Sequence, residues 1–174
     1  MKKTVVIIST LLLFGVCPVQ AVTEWQNDHY EVFAKDYFAD VAMLENATAD
    51  MFAGQIDKIA LFQDCSLNIY GGQIGVIWTE DISTVNVHGG VLSEYWVSWG
   101  TLNLYAYGVT HATTGGSWGD GQVMGTYYGD DSEFTFDLRN VGGYADPYSR
   151  VNIVPEPATI LLVGFGAVAL LKRK

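Results

Sequence analysis

The sequence predicts an all-β protein, built as a short β-solenoid with rungs of about 18 residues and a C-terminal β-hairpin cap. Three observations lead to this fold class. Four similar segments, offset by 18, 18 and 17 residues, begin at Thr48, Ser66, Thr84 and Thr101. The middle of the chain is rich in Tyr, Trp, Val and Thr, which favour strands over helices. No proline occurs between Pro18 and Pro147, so strand pairing is not interrupted there.

The repeats have the pattern hydroxyl, aliphatic, Asn, aliphatic, aromatic or His, with Asp50 in place of Asn in the first copy, and the two central copies end in Gly-Gly. In a strand, alternation places Leu67 on one face and Asn68 and Tyr70 on the other. The glycines permit a sharp bend or a positive φ. A period near 18 is too short for a propeller blade of about 40 residues and fits one coil of a solenoid. We therefore expect Leu67, Val85 and Leu102 to stack in one buried column.

Stacking of coils at about 4.8 Å brings equivalent outward side chains together in two further columns. One is a ladder of amides with an acid at its end, made of Asp50, Asn68, Asn86 and Asn103. The other is an aromatic column, made of Phe52, Tyr70, His88 and Tyr105. Tyr70 and Tyr105 are candidate sugar-stacking residues, although packing between rungs is the interpretation that we favour. His88 is interpreted as a stacked ring, since no Cys or second His recurs at metal-ligand spacing; neither a metal nor a cofactor is expected.

A second apolar run in each period predicts a second strand in each coil. Its members are Ile59 and Leu61, then Ile74, Val76 and Trp78, then Tyr95 and Val97. Residues 30–47 resemble a divergent first rung, in which Phe38, Val41 and Met43 match Ile56, Ile59 and Leu61.

The period is lost from Val109 to Ile153. Val123–Tyr128 and Phe134–Leu138 are strand-like and flank a turn at Gly129–Ser132. This arrangement predicts a hairpin pair that caps the open end of the solenoid.

The first 21 residues have the pattern of a secretory signal peptide. Met1-Lys2-Lys3 is a basic start, Thr4–Val16 is largely apolar, and Cys17–Ala21 offers small residues for cleavage after Ala21. Lipidation of Cys17 is the alternative, which a bulky Val16 directly before the cysteine disfavours. The predicted organisation is a signal peptide at 1–21, an exported domain at 22–153 and a tail at 154–174.

The tail combines Pro155-Glu156-Pro157, the uncharged stretch Ala158–Leu171 and the basic end Lys172-Arg173-Lys174. The prolines oppose helix before Ala158 and keep a processing site extended. We expect the uncharged stretch to form a membrane helix, although its 14 residues are fewer than the roughly 20 of a usual span. The cations favour the cytoplasmic side. In this order, the parts resemble the PEP-CTERM sorting signal of Gram-negative bacterial surface proteins.

That resemblance implies a route for the protein. The chain would cross the inner membrane of a Gram-negative bacterium and be anchored transiently by its tail. An exosortase-type membrane protease would then process it at Pro155, Glu156 and Pro157 and leave it at the cell surface or outside the cell. An ordinary C-terminal anchor, with Pro-Glu-Pro as a linker, is the alternative.

Charge and cysteine content limit the possible partners of the protein and its possible disulfides. The chain carries 9 Lys and Arg, 19 Asp and Glu, and a formal net charge of −10. Only four of the cations lie between residues 22 and 156, against all 19 acids, which gives that part a charge of −15. This charge strongly disfavours nucleic-acid binding, because phosphate contacts need a basic surface. Cys65 is the only cysteine after Ala21, so the exported part has no internal disulfide.

No recurring catalytic pair is evident in the repeats, and no catalytic residue is assigned. The acids Asp64, Glu80, Asp81 and Glu94 lie near predicted turns but share no repeat position. We therefore expect an exported, non-enzymatic surface or extracellular-matrix protein associated with exopolysaccharide or biofilm. The alternatives are a polysaccharide-active enzyme, which would cluster ionisable groups on one solenoid face, and a carbohydrate-binding module, which would expose coplanar aromatic rings.

Overall fold

Strands make up most of the residues that the computed structural model describes, which are 22–113, 120–143 and 146–155. In chain order they are β1 (Thr23–Gln26), β2 (His29–Val32), β3 (Tyr37–Leu44), β4 (Thr48–Met51), β5 (Gln55–Leu61), β6 (Ser66–Ile69), β7 (Gln73–Thr79), β8 (Thr84–Val87), β9 (Val91–Val97), β10 (Thr101–Leu104), β11 (Ala106–Thr113), β12 (Gly121–Tyr127), β13 (Glu133–Asn140) and β14 (Val151–Ile153). A 3-10 turn at Pro147–Arg150 precedes β14, and these residue ranges contain no α-helix. The all-β prediction is confirmed for this part of the chain.

The two predicted ends of the chain lie largely outside these ranges. The signal peptide at 1–21, its cleavage residue Ala21 and the tail from Glu156 onward, with the expected membrane helix, are not among the described residues. Within the described ranges, no helix has the length and apolar character needed to cross a membrane.

The chain winds as a solenoid that alternates between two sheets. Sheet A has eight strands in the order β1-β3-β5-β7-β9-β13-β12-β11, and sheet B has six in the order β14-β10-β8-β6-β4-β2. From β1 to β10, each strand of sheet A is followed by one of sheet B, and successive strands of a sheet pair in parallel. This gives five coils and confirms the predicted β-solenoid.

Sheet B has the predicted register. Leu67 pairs with Val85, and Val85 pairs with Leu102. All three side chains are 0% exposed, so the expected inner column is confirmed. Burial of an aliphatic side chain stabilises a fold by about 2 kcal/mol, and this column forms one wall of the core between the two sheets.

Sheet A follows the same period with a different set of inward residues. Ile59, Ile77 and Tyr95 are register partners and are fully buried. Val76 and Trp78, which belong to the predicted apolar run, lie on the outer face and are only partly buried. The predicted second strand is therefore present, but only part of its apolar run faces the core.

The shift occurs at the same position in successive strands of sheet A, including Gly75. The pairing passes directly from Ile56–Ile74 to Lys58–Val76, so one residue of each strand is left out of the ladder. A Cβ at Gly75 would lie 2.4 Å from the Asp57 carbonyl oxygen. Glycine allows this close approach, but the equivalent residues Ala39 and Ser93 are skipped in the same way, so the shift does not depend on glycine.

The divergent first rung is also present, because Phe38, Val41 and Met43 pair with Ile56, Ile59 and Leu61. Turns repeat as strictly as strands do. Gly54, Gly72 and Gly90 follow sheet B strands with φ values of 90°, 92° and 91°. A second column of left-handed residues follows sheet A strands and was not predicted; it consists of Asn27, Glu45, Gln63 and Asp81, each 18 residues from the next.

The C-terminal region both caps and extends the stack. β11, β12 and β13 form an antiparallel meander, which confirms the hairpin pair. β13 also pairs in parallel with β9, and β14 pairs in parallel with β10. The region after Val109 therefore returns to both sheets, whereas the sequence predicted only that the period ends. Its apolar side chains join the core at Val123, Tyr127, Phe134, Phe136 and Leu138.

Candidate functional site

Sheet B presents three rows of like side chains on its outer side, which we call the sheet B face. Strand alternation sends the aliphatic residues inward, so the polar positions of every rung point the same way. The hydroxyl row is Thr48, Ser66, Thr84 and Thr101; the amide row is Asp50, Asn68, Asn86, Asn103 and Asn152; the aromatic row, just after the strands, is Phe33, Phe52, Tyr70, His88 and Tyr105.

The amide row is a continuous hydrogen-bonded ladder. Asn68 donates from Nδ2 to Asp50 Oδ1 at 2.7 Å, and Asn86 donates to Asn68 Oδ1 at 2.8 Å. Asn103 donates to Asn86 Oδ1 at 2.8 Å, and Asn152 donates to Asn103 Oδ1 at 3.1 Å. All four bonds run in one direction and end on a carboxylate, so they reinforce one another. The structure thus brings Asn68, Asn86 and Asn103 together as the sequence suggested.

Asn152 is the ladder residue that sequence reasoning missed. It lies far along the chain, beyond the cap, and reaches the ladder because β14 pairs with β10. The signal was present in the sequence, since Val151-Asn152-Ile153 has the same aliphatic, Asn, aliphatic order as Leu102-Asn103-Leu104.

The aromatic row is a stack of nearly parallel rings. The ring centroids are 5.6 Å apart for Phe33 and Phe52, 5.3 Å for Phe52 and Tyr70, 4.9 Å for Tyr70 and His88, and 3.8 Å for His88 and Tyr105. Phe33 extends the predicted column by one ring. Tyr70 is 47% exposed, yet both of its ring faces meet a neighbouring ring, so it offers solvent mainly a ring edge. Sugar stacking on Tyr70 and Tyr105 stays a prediction.

Charge on the sheet B face is confined to one end. Asp50 Oδ2 lies 3.5 Å from His29 Nε2, and Glu31 is the register partner of Asp50. From Ser66 to Asn103, the hydroxyl and amide rows carry neutral side chains only. Burial lowers the pKa of the His88 ring, which favours its neutral form within the stack. The face is therefore neutral across its middle rungs, although the whole chain has a net charge of −10.

The outer side of sheet A carries unlike side chains that meet in pairs. Lys58 Nζ lies 5.5 Å from the Trp78 ring centroid and 5.4 Å from that of Trp96, within the range of a cation–π contact. Trp96 Nε1 donates to Glu94 Oε2 at 2.7 Å. The two indole planes are inclined at 52°, so they do not form one flat platform.

Arg139 lies next to these residues and meets three carboxylates. Its guanidinium nitrogens are 3.8 Å from Glu94, 3.5 Å from Asp120 and 3.6 Å from Asp137. We call these four residues the Arg139 cluster. An open groove of about 510 Å³ lies beside it, lined by Glu94, Trp96, Asp120, Arg139, Asn140 and Val141. Sequence reasoning missed this cluster, because its members come from distant strands and occupy no repeat position.

The other acids considered from sequence do not join this cluster. Asp64 and Asp81 lie in the turns that follow β5 and β7, where Asp81 accepts a hydrogen bond from the Gln63 backbone at 3.1 Å. Glu80 uses its carbonyl oxygen to accept from Ser83 at 2.7 Å. Within the three described ranges, no group of His, Cys, Asp or Glu is arranged to hold a metal ion.

The end of the described chain approaches the sorting segment. Val154 donates its backbone N–H to the Leu104 carbonyl at 2.8 Å, directly after β14. Pro155 follows and is exposed, while Glu156 and Pro157 lie outside the described residues. Comparison with known families matches residues 154–174 to the PEP-CTERM protein-sorting motif. No curated protein and no solved structure matches the chain.

Proposed function

We propose, from the PEP-CTERM motif at 154–174 and the sheet B face, that this chain is a non-enzymatic surface or extracellular-matrix protein that associates with exopolysaccharide. The motif implies export, transient anchoring through the C-terminal tail and processing by an exosortase-type membrane protease. Residence at the cell surface or outside the cell after processing is part of the proposal.

The observation that carries the proposal is the shape and chemistry of the sheet B face. It is long and repeats hydroxyl, amide and aromatic groups on successive rungs. Sites for small substrates are concave and enclose most of the ligand. A repeating surface instead suits a repeating partner, and a matrix polysaccharide is such a partner.

The Arg139 cluster supports a structural rather than a catalytic role for the charged residues beside the groove. Its three carboxylates share one guanidinium, and the residues come from β9, β13 and the segment before β12. Such an ion-pair network ties the cap to the last coil.

The groove favours a second candidate, a polysaccharide-active enzyme or carbohydrate-binding module. It combines an indole ring with the carboxylates of Glu94 and Asp120 in one open depression. These are residue types that sugar-processing sites use.

One experiment separates the two candidates. The processed protein, recovered from outside the producing cells, is incubated with polysaccharide from the same cells, and both co-sedimentation and release of new reducing ends are measured. We expect co-sedimentation without release of reducing ends. Release that Glu94→Gln or Asp120→Asn abolishes, while the circular-dichroism spectrum stays unchanged, contradicts the non-enzymatic proposal.

A further inference from the structure

We infer that the sheet B face binds an uncharged polysaccharide chain that lies along the stacking axis, across successive rungs. This inference rests on the proposed function and specifies the ligand class, the surface and the orientation.

The amide ladder leaves hydrogen-bonding capacity unused on every rung. A side-chain amide has two N–H donors and an oxygen with two lone pairs. Asn68 and Asn86 each donate one N–H and accept one bond within the ladder. Both side chains are partly exposed, so one donor and one acceptor per rung remain for a partner in solvent. Their spacing is that of the strands, about 4.8 Å.

The hydroxyl row doubles this array. Thr84 and Thr101 are register partners on the same side of the sheet and are partly exposed. A polymer therefore meets a hydroxyl and an amide side by side on each rung. Hydroxyl-bearing sugar units can both donate to and accept from these groups, which neither a hydrocarbon nor a purely acidic ligand can do.

The charge distribution of the protein favours an uncharged polysaccharide over an anionic one. The hydroxyl and amide rows are neutral from Ser66 to Asn103, and the acids Glu31 and Asp50 lie at one end. No Lys or Arg belongs to the rows, and the chain as a whole is acidic. A uronic-acid polymer would gain no ion pair on this face and would be repelled by the rest of the protein. An uncharged polymer avoids that repulsion.

The repeat of hydroxyl and amide groups along the stack determines the orientation of the polysaccharide chain. Each sheet B strand between β4 and β10 is four residues long and presents only two side chains outward. A chain lying along a strand would meet one hydroxyl and one amide. A chain lying along the stack meets the same pair on three successive strands, β6, β8 and β10, with the aromatic row as an apolar border on one side.

Affinity electrophoresis of the processed protein tests the inference. Native gels contain hydroxyethylcellulose, which is uncharged, or alginate, which is anionic. We expect retardation by hydroxyethylcellulose only, and no change of the dissociation constant between low and moderate salt. The double variant Thr84→Val/Thr101→Val removes two hydroxyls while retaining β-branched side chains, and should weaken binding about tenfold. Thr135→Val, an exposed threonine of β13 in sheet A, is the matched control and should bind like the parent protein.

Each contrary result has a distinct meaning. Retardation that the double variant retains, or that Trp96→Ala abolishes, overturns the sheet B face as the site and leaves polysaccharide association standing. Preferential retardation by alginate overturns the choice of an uncharged ligand. If neither polymer nor the producing cells' own exopolysaccharide retards the protein, both the inference and the proposed association are wrong.

Discussion

Sheet B shows solvent side chains of the same kind on successive rungs, whereas sheet A shows mostly unlike ones. In sheet B the outward contacts join like to like: amide to amide and ring to ring. In sheet A they join unlike partners, such as Lys58 with two indoles and Arg139 with three carboxylates. A ladder of like groups requires a group of the same kind on successive rungs, while a pairwise contact constrains only its two partners. The difference explains why one sheet repeats strictly and the other does not.

Both faces depend on the shared core, so the largest expected effect comes from breaking it. Val85→Asp places an unpartnered carboxylate at a 0% exposed position in the inner column. This costs several kcal/mol, which is comparable to the whole stability of a typical domain. We expect loss of the far-ultraviolet circular-dichroism spectrum of the folded state. Thr84→Asp, the adjacent outward residue of β8, is the control and should remain folded.

The second prediction compares one outward position from each sheet. Asn86→Ala removes the donor to Asn68 and the acceptor of Asn103, and should lower the free energy of unfolding by about 2 kcal/mol. Val76→Ala removes a partly buried side chain from the outer side of sheet A and should cost less than about 1 kcal/mol. Urea unfolding measures both. Equal losses would mean that the ladder adds nothing beyond burial.

The third prediction concerns the Arg139 cluster. Arg139→Ala leaves the carboxylates of Glu94, Asp120 and Asp137 without their shared cation. Because the Arg139 side chain is 43% exposed, the loss should be only about 1 kcal/mol, and it should shrink as salt is added. Lys35→Ala removes a cation from an exposed turn residue and controls for overall charge. A loss that does not vary with salt would argue against an electrostatic role for Arg139.

The smallest expected effect is a pH dependence of stability, which arises from His88 on the sheet B face. Burial lowers the pKa of His88 in the folded state relative to the unfolded chain. Its contribution to stability is therefore fully present above the unfolded pKa of about 6.5 and declines as pH falls below that value. Urea midpoints measured at pH 7.5 and pH 5.5 should show the decline. His88→Phe should reduce it, and Tyr105→Phe, which keeps the histidine and the stack, should not. An unchanged decline in His88→Phe would assign it to other groups.

Sequence reasoning was most successful where the molecule repeats. The pattern around Asn68, Asn86 and Asn103 predicted both the register and the inner column, because identical neighbours leave a periodic signal. It was less successful in sheet A, where omission of Gly75 from the ladder moves Val76 and Trp78 to the outer side. The Arg139 cluster gave no signal at all, since it arises from pairing between β9 and β13. The return of β14 had a weak signal in Val151-Asn152-Ile153, which is too short to distinguish from chance.

The bond between Val154 and Leu104 has a consequence for how the domain is displayed. Only Pro155, Glu156 and Pro157 separate that bond from the uncharged stretch that begins at Ala158. Three residues span at most about 10 Å. Anchoring through the tail, which the sorting motif implies, would therefore keep β14 close to the anchor. A protease that cuts at Pro155, Glu156 or Pro157 would therefore act within a few residues of a folded sheet.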